Sequence, residues 1–301
     1  MIDIPNVGRP DVSSGRTWGE SLKRLKELQE FKKEDELWVD KVEYPIDTRG
    51  FPYFIWRPLS DMHLGAQGCD MVSVTRHLDA IKSLPIYTHL LGDMGDLVSP
   101  DEQLATLRAF FEEYQEKILG TVQDPSHTDW IRQASGIEPQ RWLVKDLHIP
   151  MIKSGGEVEF NVNGIKYKVL VFHKIGRFNS SLNITNAGKR MLDMRADADA
   201  VVSGHTHIGA MEKVVKRENK AYIVNLGTFK THDQFGERQG LVPRPQVFSP
   251  TFFFDGRRKN IEVIEDDQSA NEMIESIADY VKKNAQATLG LANYQFPHTN
   301  E

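Results

Sequence analysis

The sequence predicts an α/β domain, and three observations carry that reading. Short apolar runs ending in polar residues recur as FPYFIWRPLSD, LPIYTHLLGD and DADAVVSGHTH, the pattern of strands that feed loops. Between the early runs, apolar residues step at helical spacing. The second half alternates apolar and polar residues about turn signals, which is hairpin patterning.

Taken in order, residues 1–16 are polar and rich in Gly, Pro and Ser, and read as a loose arm. The spacing of Leu22, Leu25 and Leu28 predicts a helix over 17–34 with a solvated face of mixed charge. Pro45 to Pro52 reads as a connector, and the first strand-like run starts at Phe51. Val74, Leu78 and Ile81 mark a helix that stops before Pro85. After the second strand, Ser99-Pro100-Asp101-Glu102 is a capping-box pattern with proline at the first helical position. Leu104, Leu107, Phe111, Tyr114 and Ile118 then form one apolar stripe. KILGTVQDPSH reads as a third strand running into a polar loop.

EVEFNVNGIKYKVLVFH alternates about Asn163-Gly164, a strong hairpin signal. A helix is predicted near 184–194, where Met191 and Met194 read as core, and the strand ending in Gly204-His205-Thr206-His207 follows. MEKVVKRENKAYIVNLG and TFFFDGRRKNIEVIED alternate again. Asn271 to Asn284 reads as an amphipathic helix carrying Met273, Ile274, Ile277 and Val281. No internal repeat is present. The expected organisation is an arm and helix over 1–50, a main domain over 51–270, and a helix and tail over 271–301.

Composition bounds the function classes. At 301 residues with 40% hydrophobic and 27% charged content, the chain can build an ordinary core without staples. Its one cysteine, Cys69, excludes an internal disulfide framework and a Cys-rich zinc module, and reads as a small buried or half-buried residue. No apolar run approaches the roughly 18 residues that span a membrane. With no charged-then-apolar pattern at the N-terminus, the expected location is the cytoplasm. A balance of 37 basic against 43 acidic residues is no general magnet for nucleic acid, although a local basic groove stays open. The basic residues Lys213, Lys216, Arg217 and Lys220 read as a charge-protected edge.

The chemistry gathers at the ends of these strands. Asp61-Met62-His63, Gly92-Asp93-Met94-Gly95-Asp96, Ser126-His127, His173 and Gly204-His205-Thr206-His207 all close strand-like runs, where open α/β sheets place ligands. Carboxylate with imidazole and no thiolate suits manganese, iron or zinc. A shared aspartate would hold two cations about 3.5–4 Å apart for phosphate chemistry. His89, within a strand, and His77, on a helix, read as structural. His148, His232 and His298 fall in loop-like segments.

In the order of these motifs, from about Tyr53 to Val263, the chain resembles the calcineurin-like metallophosphoesterases. The resemblance implies a two-sheet αββα sandwich, here with an N-terminal helical extension. It implies one metal held by Asp61, His63, Asp93 and His207, and a second held by Asp93, His173, His205 and the residue at position 126. The family carries asparagine there, whereas this chain has Ser126, a shorter ligand. Ser126, Asp124 or a water would complete the second site. His127 matches the histidine that protonates or stabilises the leaving-group oxygen, and Asp96 the aspartate that orients it.

The activity so implied is metal-assisted hydrolysis of a phosphoester, with two divalent ions, manganese foremost and iron, zinc or nickel as alternatives. Asp96 is followed by Leu97-Val98 rather than the arginine of protein phosphatases, which favours a phosphodiester substrate: DNA, RNA, a nucleotide or a cyclic nucleotide. SHTDWIRQASGIEP is similar to phosphoesterases found among phage genes. A protein phosphatase, a phosphomonoesterase and a degenerate phosphate- or metal-binding module stand as alternatives, and an oligomer stays open. Lys174 and Arg177 are candidate phosphate contacts or solvated loop residues, and Asn225-Leu226-Gly227-Thr228 resembles the family's small-residue turn.

Overall fold

The computed structural model describes residues 38–95, 100–123, 139–144, 147–176, 183–216, 219–231 and 246–292, together with Gly19, Leu22, Lys23 and Lys26. Two compact units divide the chain, Met1–Leu37 and Trp38–Glu301. In the first, the four described residues are helical and exposed.

The second unit contains strands β1 (Trp38–Ile46), β2 (Tyr53–Trp56), β3 (Ile86–Leu90), β4 (Ile118–Val122), β5 (Met151–Val162), β6 (Ile165–Phe172), β7 (Ala200–Ser203), β8 (Ala210–Lys216), β9 (Asn219–Asn225), β10 (Thr251–Asp255) and β11 (Ile261–Ile264). Its helices are α1 (Met71–Ser83), α2 (Pro100–Tyr114), α3 (Pro139–Val144), α4 (Asn186–Met194) and α5 (Asp267–Ala292). The fold is α/β.

All the strands join one hydrogen-bonded sheet in the order β11-β10-β2-β3-β4-β5-β6-β7-β9-β8, with β1 paired to β5. β2, β3, β4 and β5 run parallel to one another, as do β6, β7 and β9, and the antiparallel β5–β6 hairpin joins the two sets. Asn163 (φ 50°) and Gly164 (φ 90°) make that hairpin's turn, both left-handed as a two-residue turn demands.

The sheet curls until its two arms face each other. Phe54 and Trp56 of β2 and Phe254 of β10 pack on Phe160 of β5, with ring centroids 4.9, 5.5 and 5.1 Å apart. Outside one arm, Val74 and Ile81 of α1, Leu107 and Phe111 of α2 and Ile274 of α5 cover Ile55, Ile86 and Leu90. Outside the other, Leu192 of α4 covers Leu170, Val201 and Ile223. Two layers thus face each other between helices, as arms of one sheet rather than as separate sheets. Strands buried on both faces explain the unbroken apolar runs such as AVVS and TFFFD.

Three details differ from the sequence reading. Trp38–Ile46, read as part of the N-terminal arm and its connector, is a strand of the main body. Val42, Tyr44 and Ile46 alternate with exposed residues there, and Pro45 is tolerated because β1 lies off the main strand path. Met194, read as core, is 76% exposed because it closes the last turn of α4 on the solvent side. The C-terminal helix starts at Asp267 and runs to Ala292, beyond the stripe that predicts it. Among the described residues, no helix is long and apolar enough to cross a membrane.

Candidate metal centre

The parallel ladder between β2 and β3 does not stop at the strand ends. Leu59 bridges Leu90, then Asp61 N donates to Gly92 O (3.1 Å), His63 N to Asp93 O (3.0 Å) and Leu64 N to Met94 O (2.7 Å). This register sets Asp61 and His63 beside Asp93. From the other arm, His173 follows β6 and His205 and His207 follow β7. His205 N donates to Asp61 Oδ2 at 2.9 Å, which fastens the two arms together at this point.

The backbone is forced here. Asp61, His63, Asp93, His205 and His207 all have left-handed φ, between 48° and 72°. Each such non-glycine residue costs about 1–2 kcal/mol, strain that persists only where surrounding structure holds it. Two glycines make room for these turns. A Cβ on Gly92, itself at φ 94°, would lie 2.5 Å from His173 Nδ1. A Cβ on Gly204 would lie 2.5 Å from Asp61 Oδ2.

Two sets of donor atoms converge, each within 4.8 Å: Asp61, His63, Asp93 and His207, and Asp93, His173 and His205. Asp93 belongs to both. His63 Nε2 faces His207 Nε2 at 3.2 Å, His207 Nε2 lies 3.1 Å from Asp61 Oδ1, and His173 Nε2 lies 3.4 Å from Asp93 Oδ2. Ligand atoms about 2.1 Å from a shared cation stand roughly 3.0–3.4 Å from one another, so these spacings fit a coordination sphere. Asp61 Oδ1 is buried without a hydrogen bond of good geometry, which also fits a ligand atom. The residues present therefore suit a divalent ion bound through oxygen and nitrogen.

Supporting contacts fix which atoms are offered. Ser60 Oγ donates to Asp61 Oδ2 at 2.5 Å, and with the His205 N–H it occupies that oxygen, leaving Oδ1 to face the cluster. His173 Nδ1 bonds Leu91 O at 2.6 Å, so Nε2 is the nitrogen turned to Asp93. Thr228 Oγ1 and Phe229 N both donate to Asp61 O (3.0 Å each) and pin its strained backbone. Asn225 Nδ2 donates to Thr206 Oγ1 and Ile208 O (2.5 and 2.7 Å), stapling the turn that carries His205 and His207.

Charge states agree with ligation. Burial alone would raise the Asp61 pKa, but the close contact with the His207 ring and the charges of His173, His207 and His63 hold it well below the usual carboxylate range. Burial, then the neighbouring His173 and Lys174, lower His205 to about 4, so its imidazole is neutral at pH 7 and has a lone pair to give.

Of the site residues read from sequence, Asp61, His63, Asp93, His173, His205 and His207 come together. Asp96, Asp124, Ser126, His127, Arg177 and His232 lie outside the described residues. His89 and His77 sit in the core, as expected of structural histidines, while His148 is exposed. Cys69 is half-buried. Ser60 was invisible as a support, since a serine beside an aspartate has no distinguishing spacing. Thr228 lies in the small-residue turn that the sequence does flag.

No family model and no curated protein matches this chain. Among solved structures, Vps29 of Entamoeba histolytica complexed with zinc is 10% identical and covers 70% of this chain and 98% of its own, with a TM-score of 0.37. A predicted phosphoesterase of Streptococcus pneumoniae is 11% identical over 71% of this chain and 90% of its own, at 0.35. A protein serine/threonine phosphatase of Saccharomyces cerevisiae is 10% identical over 81% and 90%, at 0.36. Superpositions this loose carry no functional weight, so function rests on the donor atoms themselves.

Proposed function

We infer that this chain is a metal-dependent phosphoesterase of the calcineurin-like metallophosphoesterase type. The observation that carries the reading is Asp93, a buried carboxylate common to two convergent donor sets. Such a carboxylate is how a protein holds two cations close enough to act on one phosphoryl group. When bound, divalent ions would supply a lowered water pKa and neutralise charge on the phosphoryl oxygens. Manganese is the first choice for an O/N donor set, with iron, zinc and nickel behind it.

The remaining work falls to side chains. Asp61 and Asp93 would bring the negative charge that holds the ions, while His63, His173, His205 and His207 would complete their spheres through ring nitrogens. His127 is proposed to hold the proton that goes to the leaving-group oxygen, with Asp96 orienting its ring. The absence of an arginine after Asp96 supports a phosphodiester, so the proposed substrate is a nucleic acid, a nucleotide or a cyclic nucleotide. The similarity of SHTDWIRQASGIEP to phosphoesterases of phage genes supports nucleic-acid processing. Ser126 in place of asparagine favours a second reading, a phosphate-binding module whose second metal site is weakened.

Hydrolysis of bis-p-nitrophenyl phosphate and p-nitrophenyl phosphate with added manganese tests both readings. Diester turnover by the wild type that disappears in Asp93→Ala supports the enzyme. Turnover gained only in Ser126→Asn supports the binding module, and turnover retained in Asp93→Ala sinks the assignment.

A further inference from the structure

The two carboxylate oxygens of Asp61 have different work, and Ser60 divides it. Ser60 is 2% exposed, and its hydroxyl donates to Asp61 Oδ2 at 2.5 Å. The same hydroxyl lies 3.2 Å from Leu91 O, but that carbonyl already meets His173 Nδ1 at 2.6 Å. The shorter, charge-assisted bond to the carboxylate is therefore the one that takes the hydroxyl proton. Gly204 leaves room for it, since a Cβ there would lie 2.1 Å from Ser60 Oγ.

Oδ2 also accepts from His205 N at 2.9 Å, so it serves two donors, while Oδ1 stands 3.1 Å from His207 Nε2 within the first donor set. The backbone is in no position to pivot, because Thr228 Oγ1 and Phe229 N grip Asp61 O and φ is held at 51°. Only rotation of the carboxylate itself is left. Turning Oδ2 toward the cluster would take the acceptor away from the buried Ser60 hydroxyl and the His205 N–H, which is costly. Cations differ in how they meet such a restraint. Calcium takes about six to eight oxygens at about 2.3–2.6 Å and often grips a carboxylate by both of its own. Smaller ions such as zinc are content with one carboxylate oxygen at about 2.0–2.2 Å. A carboxylate fixed to offer one oxygen suits the small ion and penalises the large one, in addition to the preference that the imidazoles bring.

We propose that Ser60 is a positioning residue for metal choice: it holds Asp61 to ligation through Oδ1 alone and so sets the first donor set against calcium. Ser60 touches the ligand and not the ion, so its effect passes entirely through Asp61. The proposal rests on the divalent-metal site of the phosphoesterase reading above and deepens it by naming what helps to select the ion.

The test is equilibrium metal binding by the full-length protein, with free manganese counted by electron paramagnetic resonance and calcium affinity taken from its displacement of manganese. The readout is the ratio of the two dissociation constants, which needs no turnover. In Ser60→Ala, manganese should bind about tenfold more weakly, the usual effect of losing a contact that orients a ligand. Calcium should bind at least as well as to the wild type, because no hydroxyl is left stranded when Asp61 turns, so the preference for manganese narrows about tenfold. Ser60→Cys keeps a weak donor and should narrow it less; this variant carries the comparison if the alanine variant does not fold. Equal weakening of both ions would make Ser60 a packing residue only. That result, a narrowing below threefold in both variants, or calcium displacing manganese from neither, overturns the proposal and leaves the phosphoesterase reading intact. No manganese bound by the wild type, together with no turnover of bis-p-nitrophenyl phosphate, overturns that reading and the role of Ser60 with it.

Discussion

Among the described residues, the buried and half-buried histidines include two kinds. His89 lies in β3 within the aromatic core, where its Nδ1 accepts from Trp56 Nε1 at 3.0 Å. His77 lies in α1 and bonds Ser73 O at 2.9 Å. His63, His205 and His207 stand instead on left-handed backbone and meet carboxylates or one another. Yet burial lowers His77 and His205 alike, each to about 4. A depressed imidazole pKa therefore marks burial, whereas a strained backbone with convergent carboxylates marks a site.

The largest expected effect falls on the convergent side of that contrast. Asp93→Ala removes a ligand from both donor sets, so bound manganese, measured by elemental analysis, should fall from about two per chain to below one. Diester turnover should drop by roughly 10³-fold or more. His89→Ala, which touches only the core, should leave metal content unchanged and cost about 2–4 kcal/mol in denaturant unfolding.

Metal linkage should be the next largest effect. Manganese at about 100 times its Kd should stabilise the wild type by about 2.7 kcal/mol and raise Tm, and a chelator should reverse this. Asp93→Asn should show a much smaller rise. Without metal, the same variant should be at least as stable as the wild type, because one of two neighbouring buried carboxylates is gone. A metal-free Tm well below that of the wild type would mean that Asp93 is structural.

Backbone strain gives a smaller and opposite pair of effects. Metal-free His205→Gly should gain about 1 kcal/mol, since glycine accepts φ 72° freely. His89→Gly should lose stability on the same assay, because its strand backbone gains nothing from glycine and a cavity opens.

Acid titration separates the two kinds again. Burial holds His89 down to about 3 from 6.5, so the folded chain refuses a proton that the unfolded chain takes. Its contribution is full above pH 6.5 and is lost as the pH falls toward 3, by up to about 1.4 kcal/mol per pH unit. His89→Gln should flatten that slope in unfolding experiments across this window. Smallest of all, Met194→Lys should shift stability by less than about 0.5 kcal/mol, as befits an exposed position.

Much of the fold was legible because its signals are local. Pro100 announces a helix start, Asn163-Gly164 announces a hairpin, and the runs that enter β2, β3 and β7 are apolar because both faces of those strands are covered. β1 was not legible, since a half-buried strand containing Pro45 looks like a connector until β5 is seen beside it. Met194 misled because helical spacing shows a stripe but not where that stripe ends.

By itself, the sequence determined the chemistry on offer: aspartates and histidines, no competing thiols, placed at strand ends in a fixed order. Those are properties of residue type and short-range period, which a chain carries before it folds. Only the tertiary structure decided that six of these residues meet, that Asp93 serves two donor sets, that Ser60 and the His205 N–H leave Asp61 one oxygen to give, and that Lys174 stands beside His205. Each of these depends on register between strands far apart in the chain, and on a curl that brings two arms of one sheet together, so no local spacing could have encoded it.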